Sequence, residues 1–519
     1  MHIRHGRLVA AAALALGVVA FGPISSATAS SSHHAAAVAA VHHGGSLVDL
    51  VNGGEWPGLD PATNTQDTAD ATENNAIFGQ LFEVGPNGTI VPSMASGYHL
   101  ADHNLKVLIS IRPGQKFQDG TPFNAQAVAQ SIQRDLLPAN ACLCLPNFKA
   151  VTSIAAQGKY TVVLTLSSPF SPIIPAFVNE APNWVTSPTA LARMGEAAYA
   201  QHPVGAGPFE VVSNSASSQL VLKRYPGYWQ KGRPYLNSLT FTSTGNDQTD
   251  LSSIQAGQAQ YSIVTTIPIF QQAKSTAGLT TYRLPAILIQ FVALNNNLPP
   301  FNNPTARLAL AYATNPKSLV ANLYGHIYTP VQGYTGPGQL FYQPKVSDYP
   351  AYNLTKAKAL VQQLGGLTIT LDTTTNTQFW ITEAEALQSM WGQAGIKVNV
   401  KIDSLQNLLG LIASRNWQAI SSNWGNSIDP AIDLPIYFAS YGNFSGIKDP
   451  TLDGLMNQGA AFASAPTRAR VYAKVNQQMN KTAEAIFEYA KPVLIVTRSN
   501  VQGVANGTPV VDWENVWMK

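Results

Sequence analysis

Charge is scarce in this chain. Asp, Glu, Lys and Arg make up 11% of its 519 residues, where roughly a quarter is usual. The net charge is +3, and no Lys/Arg block follows the first few residues. That excludes the basic footprint of nucleic-acid binding. Cysteine is nearly absent, with Cys142 and Cys144 the two in the chain. Two thiols are half of a structural zinc set, so the pair reads as a local loop disulfide or as two free thiols. Beyond the N-terminal leader no stretch approaches the roughly 18 apolar residues of a membrane span. Catalytic signatures are missing too: there is no G-x-S-x-G elbow, no H-E-x-x-H and no G-x-x-x-x-G-K-[ST]. Hydrophobic residues, at 45%, suffice for sizeable cores, and the length suits about three domains.

The N-terminus carries an address. Arg4, His5 and Arg7 precede an apolar run over residues 8–21, and Ala27-Thr28-Ala29 is an A-x-A site. Residues 1–29 therefore read as a secretory signal peptide cleaved near Ala29, which implies a periplasmic or secreted location. No Cys stands near the cleavage site to take a lipid anchor. Residues 30–45 read as a flexible linker whose His33-His34 and His42-His43 are incidental, with metal binding as the alternative reading.

Further on, residues 105–111 alternate as a strand, followed by Arg112-Pro113-Gly114 and the segment 116–134, KFQDGTPFNAQAVAQSIQR. Asp119-Gly120-Thr121-Pro122 reads as a tight turn. Asn124 caps a helix with Val128, Ile132 and Leu136 on one face. Residues 202–209, HPVGAGPF, hold two glycines. They lack the third glycine and the helix of a dinucleotide loop, which leaves a tight interdomain turn. Residues 168–188 look Pro-rich and irregular. Residues 287–297 read as a strand entering a new domain. Asn303-Pro304 opens a helix. Residues 367–371, 378–394 and 396–402 read as strand, helix and strand, which implies a parallel pair.

The strand, Arg-Pro-Gly turn, Phe117-x-Asp119-Gly120-Thr121-Pro122 and helix resemble the signature segment of the family 5 extracytoplasmic solute-binding proteins. These are the dipeptide, oligopeptide and nickel receptors of ABC importers. Leu59-Asp60-Pro61, the PVGAGPF stretch, Tyr228-Trp229 and Arg307 to Thr314 match further family motifs in the same order. The resemblance implies an α/β, two-lobed periplasmic-binding-protein-like (class II, flytrap) fold with three subdomains and a central interlobe cleft. Subdomain I is expected at 46–70, 200–285 and 490–519, subdomain II at 71–199, and subdomain III, the second lobe, at 286–489. The implied ligand is a peptide or similar small organic solute, delivered to an ABC permease by a monomeric receptor without cofactor, metal or catalysis. An oligosaccharide ligand, or a secreted hydrolase using Trp platforms and paired acids such as Asp429 with Asp433 or Glu383 with Glu385, are the alternatives.

The resemblance places the ligand loop at 421–430, SSNWGNSIDP, where peptide-binding relatives carry an Asp for the peptide ammonium. This chain has Asn426 there. Asn accepts a hydrogen bond but cannot neutralise a cation, so Asp429 or Glu55 is the expected substitute. Trp424 and Trp56 are the expected flat apolar faces for the ligand.

Overall fold

A computed structural model describes residues 41–63, 68–85, 88–140, 142, 144–375, 378–425, 428–442, 444–461, 464–504 and 510–519. The leader, His33-His34 and Asn426 lie outside the described residues. The alternation at 105–111 becomes the strand Lys106–Ile111, with Val107, Ile109 and Ile111 buried. It is an inner strand of a four-stranded antiparallel sheet, ordered Ala95–Ala101, Lys106–Ile111, Thr161–Leu166, Val151–Gln157. Helix Ala125–Asp135 packs on this sheet through Val128 and Ile132. The Asn124 side chain accepts the Ala127 N–H at 3.0 Å, satisfying one of the donors that every helix start leaves open. Cys142 and Cys144 form a disulfide buried in the same core. The stretch 168–188 is not formless: it holds three 3-10 turns, Ser171–Ile173, Pro175–Phe177 and Ala181–Asn183.

The larger sheet has 11 strands. Its order is Ile396–Asp403, Leu367–Thr374, Ala419–Gly425, Leu279–Leu294, Ala485–Arg498, Tyr261–Val264, Ser46–Asn52, Ser238–Thr244, Gln219–Arg224, Phe209–Ser215, with Thr329–Pro330 added beside Ala485–Arg498. Leu367–Thr374 and Ile396–Asp403 are parallel and joined through helix Gln378–Gly392, as their spacing requires. The strand expected from residue 287 begins eight residues earlier, at Leu279, and runs for 16 residues. Its partner Ala485–Arg498 runs for 14. These two long strands join the lobes. At one end Leu494–Thr497 also bonds Tyr261–Val264 of the first lobe. At the other, Leu288–Leu294 also bonds Ala419–Gly425 of the second.

The glycine motif has a steric cause. A β-carbon on Gly207 would lie 2.5 Å from the Gly79 nitrogen and 2.7 Å from the Ala76 oxygen, so the chain passes against the end of helix Thr68–Phe78. Gln118, inside the signature turn, ties this crossing together. Its amide donates to the Ile77 oxygen at 2.8 Å and the Phe209 oxygen at 2.7 Å, and its side-chain oxygen accepts the Gly205 N–H at 3.0 Å. Asp119 accepts the Thr121 N–H at 2.9 Å and the Ser187 hydroxyl at 2.8 Å. Ser187 in turn caps helix Pro188–Met194. The signature segment is therefore a structural junction.

The described end of the linker is also docked. His42 stacks on Trp517 at 5.7 Å, His43 meets Tyr235 edge-on at 5.2 Å, and Gly44 donates its N–H to the Tyr235 oxygen at 2.8 Å. This corrects the expectation of a loose linker up to residue 45.

Candidate functional site at the strand crossing

Where the two long strands cross between lobes, their ladder is broken. Register shifts fall between Arg283 and Ala286, Ala286 and Leu288, and Gln290 and Phe291. Pro285 and Pro492 sit in this stretch and have no N–H to give to a ladder. An open cavity of about 450 Å³ lies there, lined among others by Arg283, Pro285, Thr329, Pro337, Gly338 and Pro492. That volume is in the range of small-molecule sites, roughly 300–1,000 Å³. Gly338 has φ +88°, and a β-carbon on it would come within 2.8 Å of Pro285, so this loop closes tightly over the crossing. Arg283 is exposed, and its guanidinium donates to the Thr329 hydroxyl at 2.8 Å.

The same loop borders a second, water-sized space of about 20 Å³, lined by Tyr334, Thr335, Gln339, Gly425, Pro430 and Asp433, among others. Gly425 ends the strand Ala419–Gly425, so this space sits at the strand's carboxyl edge, where open α/β sheets bind ligands. Helix Pro430–Phe438 reaches from here to the first lobe: Ile432 is buried in the core cluster of the four-stranded sheet. Glu180 of that lobe has one carboxylate oxygen held by Asn147 at 3.0 Å, while the other is buried and has no hydrogen bond from the described residues. Burial, and then the charge of Asp433, push Glu180 up to about 8.

Behind the crossing lies a buried acid pair. Glu383 and Glu488 are both fully buried, and Tyr489 donates its hydroxyl to Glu383 at 2.7 Å. Burial followed by the charge of Glu383 pushes Glu488 well above the usual carboxylate range. Lys491, lowered by burial against the pull of Glu383, lies 3.9 Å over the Phe379 ring. Glu383 is thus paired with Glu488 and not with Glu385, which is exposed.

The expected site residues fare differently. Asp429 is 0% exposed and makes a bidentate pair with Arg468, both contacts at 2.6 Å. It also accepts the Ala431 N–H at 3.0 Å as the cap of helix Pro430–Phe438. Its charge is neutralised by Arg468 and both its carboxylate oxygens are engaged within the fold, which corrects its assignment as a ligand anchor. Trp56 is 2% exposed within the core of the first lobe, so it offers no ligand platform. Glu55 is exposed and makes no hydrogen bond or ion pair with described residues, but lines neither cavity. Trp424 pairs through its backbone with Ile289, beside Gly425. Asn426 is among the residues not described. Arg283, Thr329 and Glu180 were not singled out from the sequence. Each is one polar residue in an ordinary context, and only the tertiary crossing brings them to a cavity.

A sheet carried between two lobes on a pair of broken long strands, with a ligand-sized cavity at the crossing, defines a two-lobed binding protein. Residues 89–446 match the model of the bacterial extracellular solute-binding proteins, family 5. The chain belongs to this family, and is a solute-binding receptor of the ABC-importer type. The glutathione-binding protein GsiB of Shigella boydii is 30% identical over 358 residues, 68% of this chain and 69% of the relative. HbpA2 of Haemophilus parasuis has the same fold, with TM-score 0.81 at 21% identity over 92% of this chain and all of that one. DppA of Helicobacter pylori, solved with the peptide STSA, superposes with TM-score 0.75 at 20% identity over 92% of this chain and 98% of its own. No helix among the described residues is long and apolar enough to cross a membrane, and the family is extracytoplasmic.

Proposed function

We propose that this receptor captures a peptide or peptide-like solute between its lobes and hands it to an ABC permease. The mature chain starts after Ala29, and the ligand leaves unchanged. The observation that carries this reading is the 30% identity to glutathione-binding proteins across 358 residues. The cavity at the crossing supports it, because closure around a solute needs a hinge and a space beside it. The hydrolase reading loses its residues: Asp429 is held by Arg468 and Glu383 is sealed in the core.

The test is thermal denaturation with reduced glutathione and a panel of di- to pentapeptides. A bound solute at 100 times its Kd adds about 2.7 kcal/mol to stability, so a member of the panel should raise Tm. A panel without effect, alongside a sugar that raises Tm, would overturn the peptide reading.

A further inference from the structure

Among the described residues, the lining of the hinge cavity holds one charged group, Arg283. Arg283 projects from the first long strand, and its one side-chain hydrogen bond among the described residues goes to Thr329. It has no ion pair among the described residues, and no acidic group offsets the partial desolvation that lowers its pKa. The surrounding wall includes Leu284, Pro285, Pro337 and Pro492, and three of these four have no backbone N–H. Thr329 fixes one arm of the guanidinium fork and leaves the rest of it uncommitted. A guanidinium fork beside apolar walls suits a planar anion that accepts two parallel hydrogen bonds.

We propose that Arg283, steadied by Thr329, is the anchor for a carboxylate of the bound solute. This rests on the peptide-type reading above and names the ligand group that the hinge cavity receives. Because Arg283 and Thr329 stand on two strands that each pair with Ala485–Arg498, and Gly338 belongs to the loop closing over the crossing, the anchored carboxylate lies against the hinge itself. A ligand held there couples binding to the angle between lobes. Loss of the carboxylate weakens both.

The test uses the mature protein as wild type and as Arg283→Gln, Arg283→Lys and Thr329→Val. Arg283 is exposed, so these variants keep the fold, and circular dichroism checks it. The probes are reduced glutathione, a library of unblocked di- and tripeptides, the same library with amidated C-termini, and succinate. The expected result is that free-acid peptides bind wild type more tightly than their amides. Arg283→Gln should lose roughly 10- to 100-fold in affinity, the range of a hydrogen bond to a charged group, for acids but not for amides. Arg283→Lys should fall between, since it keeps the charge and loses the fork. Thr329→Val should lose less than Arg283→Gln. If acids and amides bind wild type equally, or Arg283→Gln binds acids as well as wild type does, the anchor is refuted while the peptide reading stands. If no peptide binds but succinate raises Tm in wild type and not in Arg283→Gln, the anchor stands and the peptide reading falls. If no carboxylate gives an Arg283-dependent response, the anchor is refuted.

Discussion

Asp429 and Gly207 show what single residues do here. Asp429 looks like a ligand residue in sequence because it sits in a Trp-containing loop before a proline. In the fold it is one half of an ion pair with a residue 39 positions away, and the Arg468 guanidinium also lies 5.2 Å from the Phe341 ring and 5.5 Å from the Tyr472 ring, two rings that stack on each other. Breaking a buried pair by removing one partner costs about 3–5 kcal/mol. Asp429→Ala should lose that much stability in urea titration, and the folded fraction should keep its ligand affinity. Gly207 is constrained by space and not by φ, since any β-carbon meets backbone atoms of residues 76–79. Gly207→Ala should therefore destabilise by about 1–3 kcal/mol, the usual cost of overpacking, read as a fall in the urea midpoint at unchanged slope.

Elements were more legible than sites. The capping Asn124 and Asn303, with Pro304 at the first helical position, stand where their local chemistry puts them, because a cap is decided by three or four neighbouring residues. The parallel pair Leu367–Thr374 and Ile396–Asp403 followed from alternation around a helix. The long crossing strands were half hidden. Residues 279–286 include Arg283 and Pro285, which break the hydrophobic alternation at the point where the ladder itself is broken. The partner of Asp429 was invisible, since nothing local links position 429 to 468. Helix Pro430–Phe438 also gains a role that only the fold shows. Through Ile432 it holds the second lobe against the first. Ile432→Ser should loosen this contact, seen as a larger radius of gyration in solution scattering and a weaker ligand affinity.

Across the whole molecule, burial raises several carboxyl groups above the usual carboxylate range. Glu180 is raised to about 8, Glu484 to about 7 and Asp372 to about 6, in each case chiefly by burial. A carboxyl raised in the folded state binds a proton that the unfolded chain has released. Its favourable contribution is complete below the unfolded pKa and is lost as pH rises through the folded one. The protein should therefore be more stable at pH 5.5 than at pH 7.5, measured as the urea midpoint at the two pH values. Glu180→Gln should gain more at pH 7.5 than at pH 5.5, because the substitution removes the cost of protonating Glu180 on folding, which grows as pH rises toward about 8.

The central claim is that this chain carries a peptide-like solute without changing it. The direct measurement is mass spectrometry of the small molecules released when the purified protein is denatured, before and after a day at 25 °C. The account predicts a stoichiometric peptide-like carboxylic acid, identical in mass at both times. A released sugar, or a mass that converts to products with time, would contradict it.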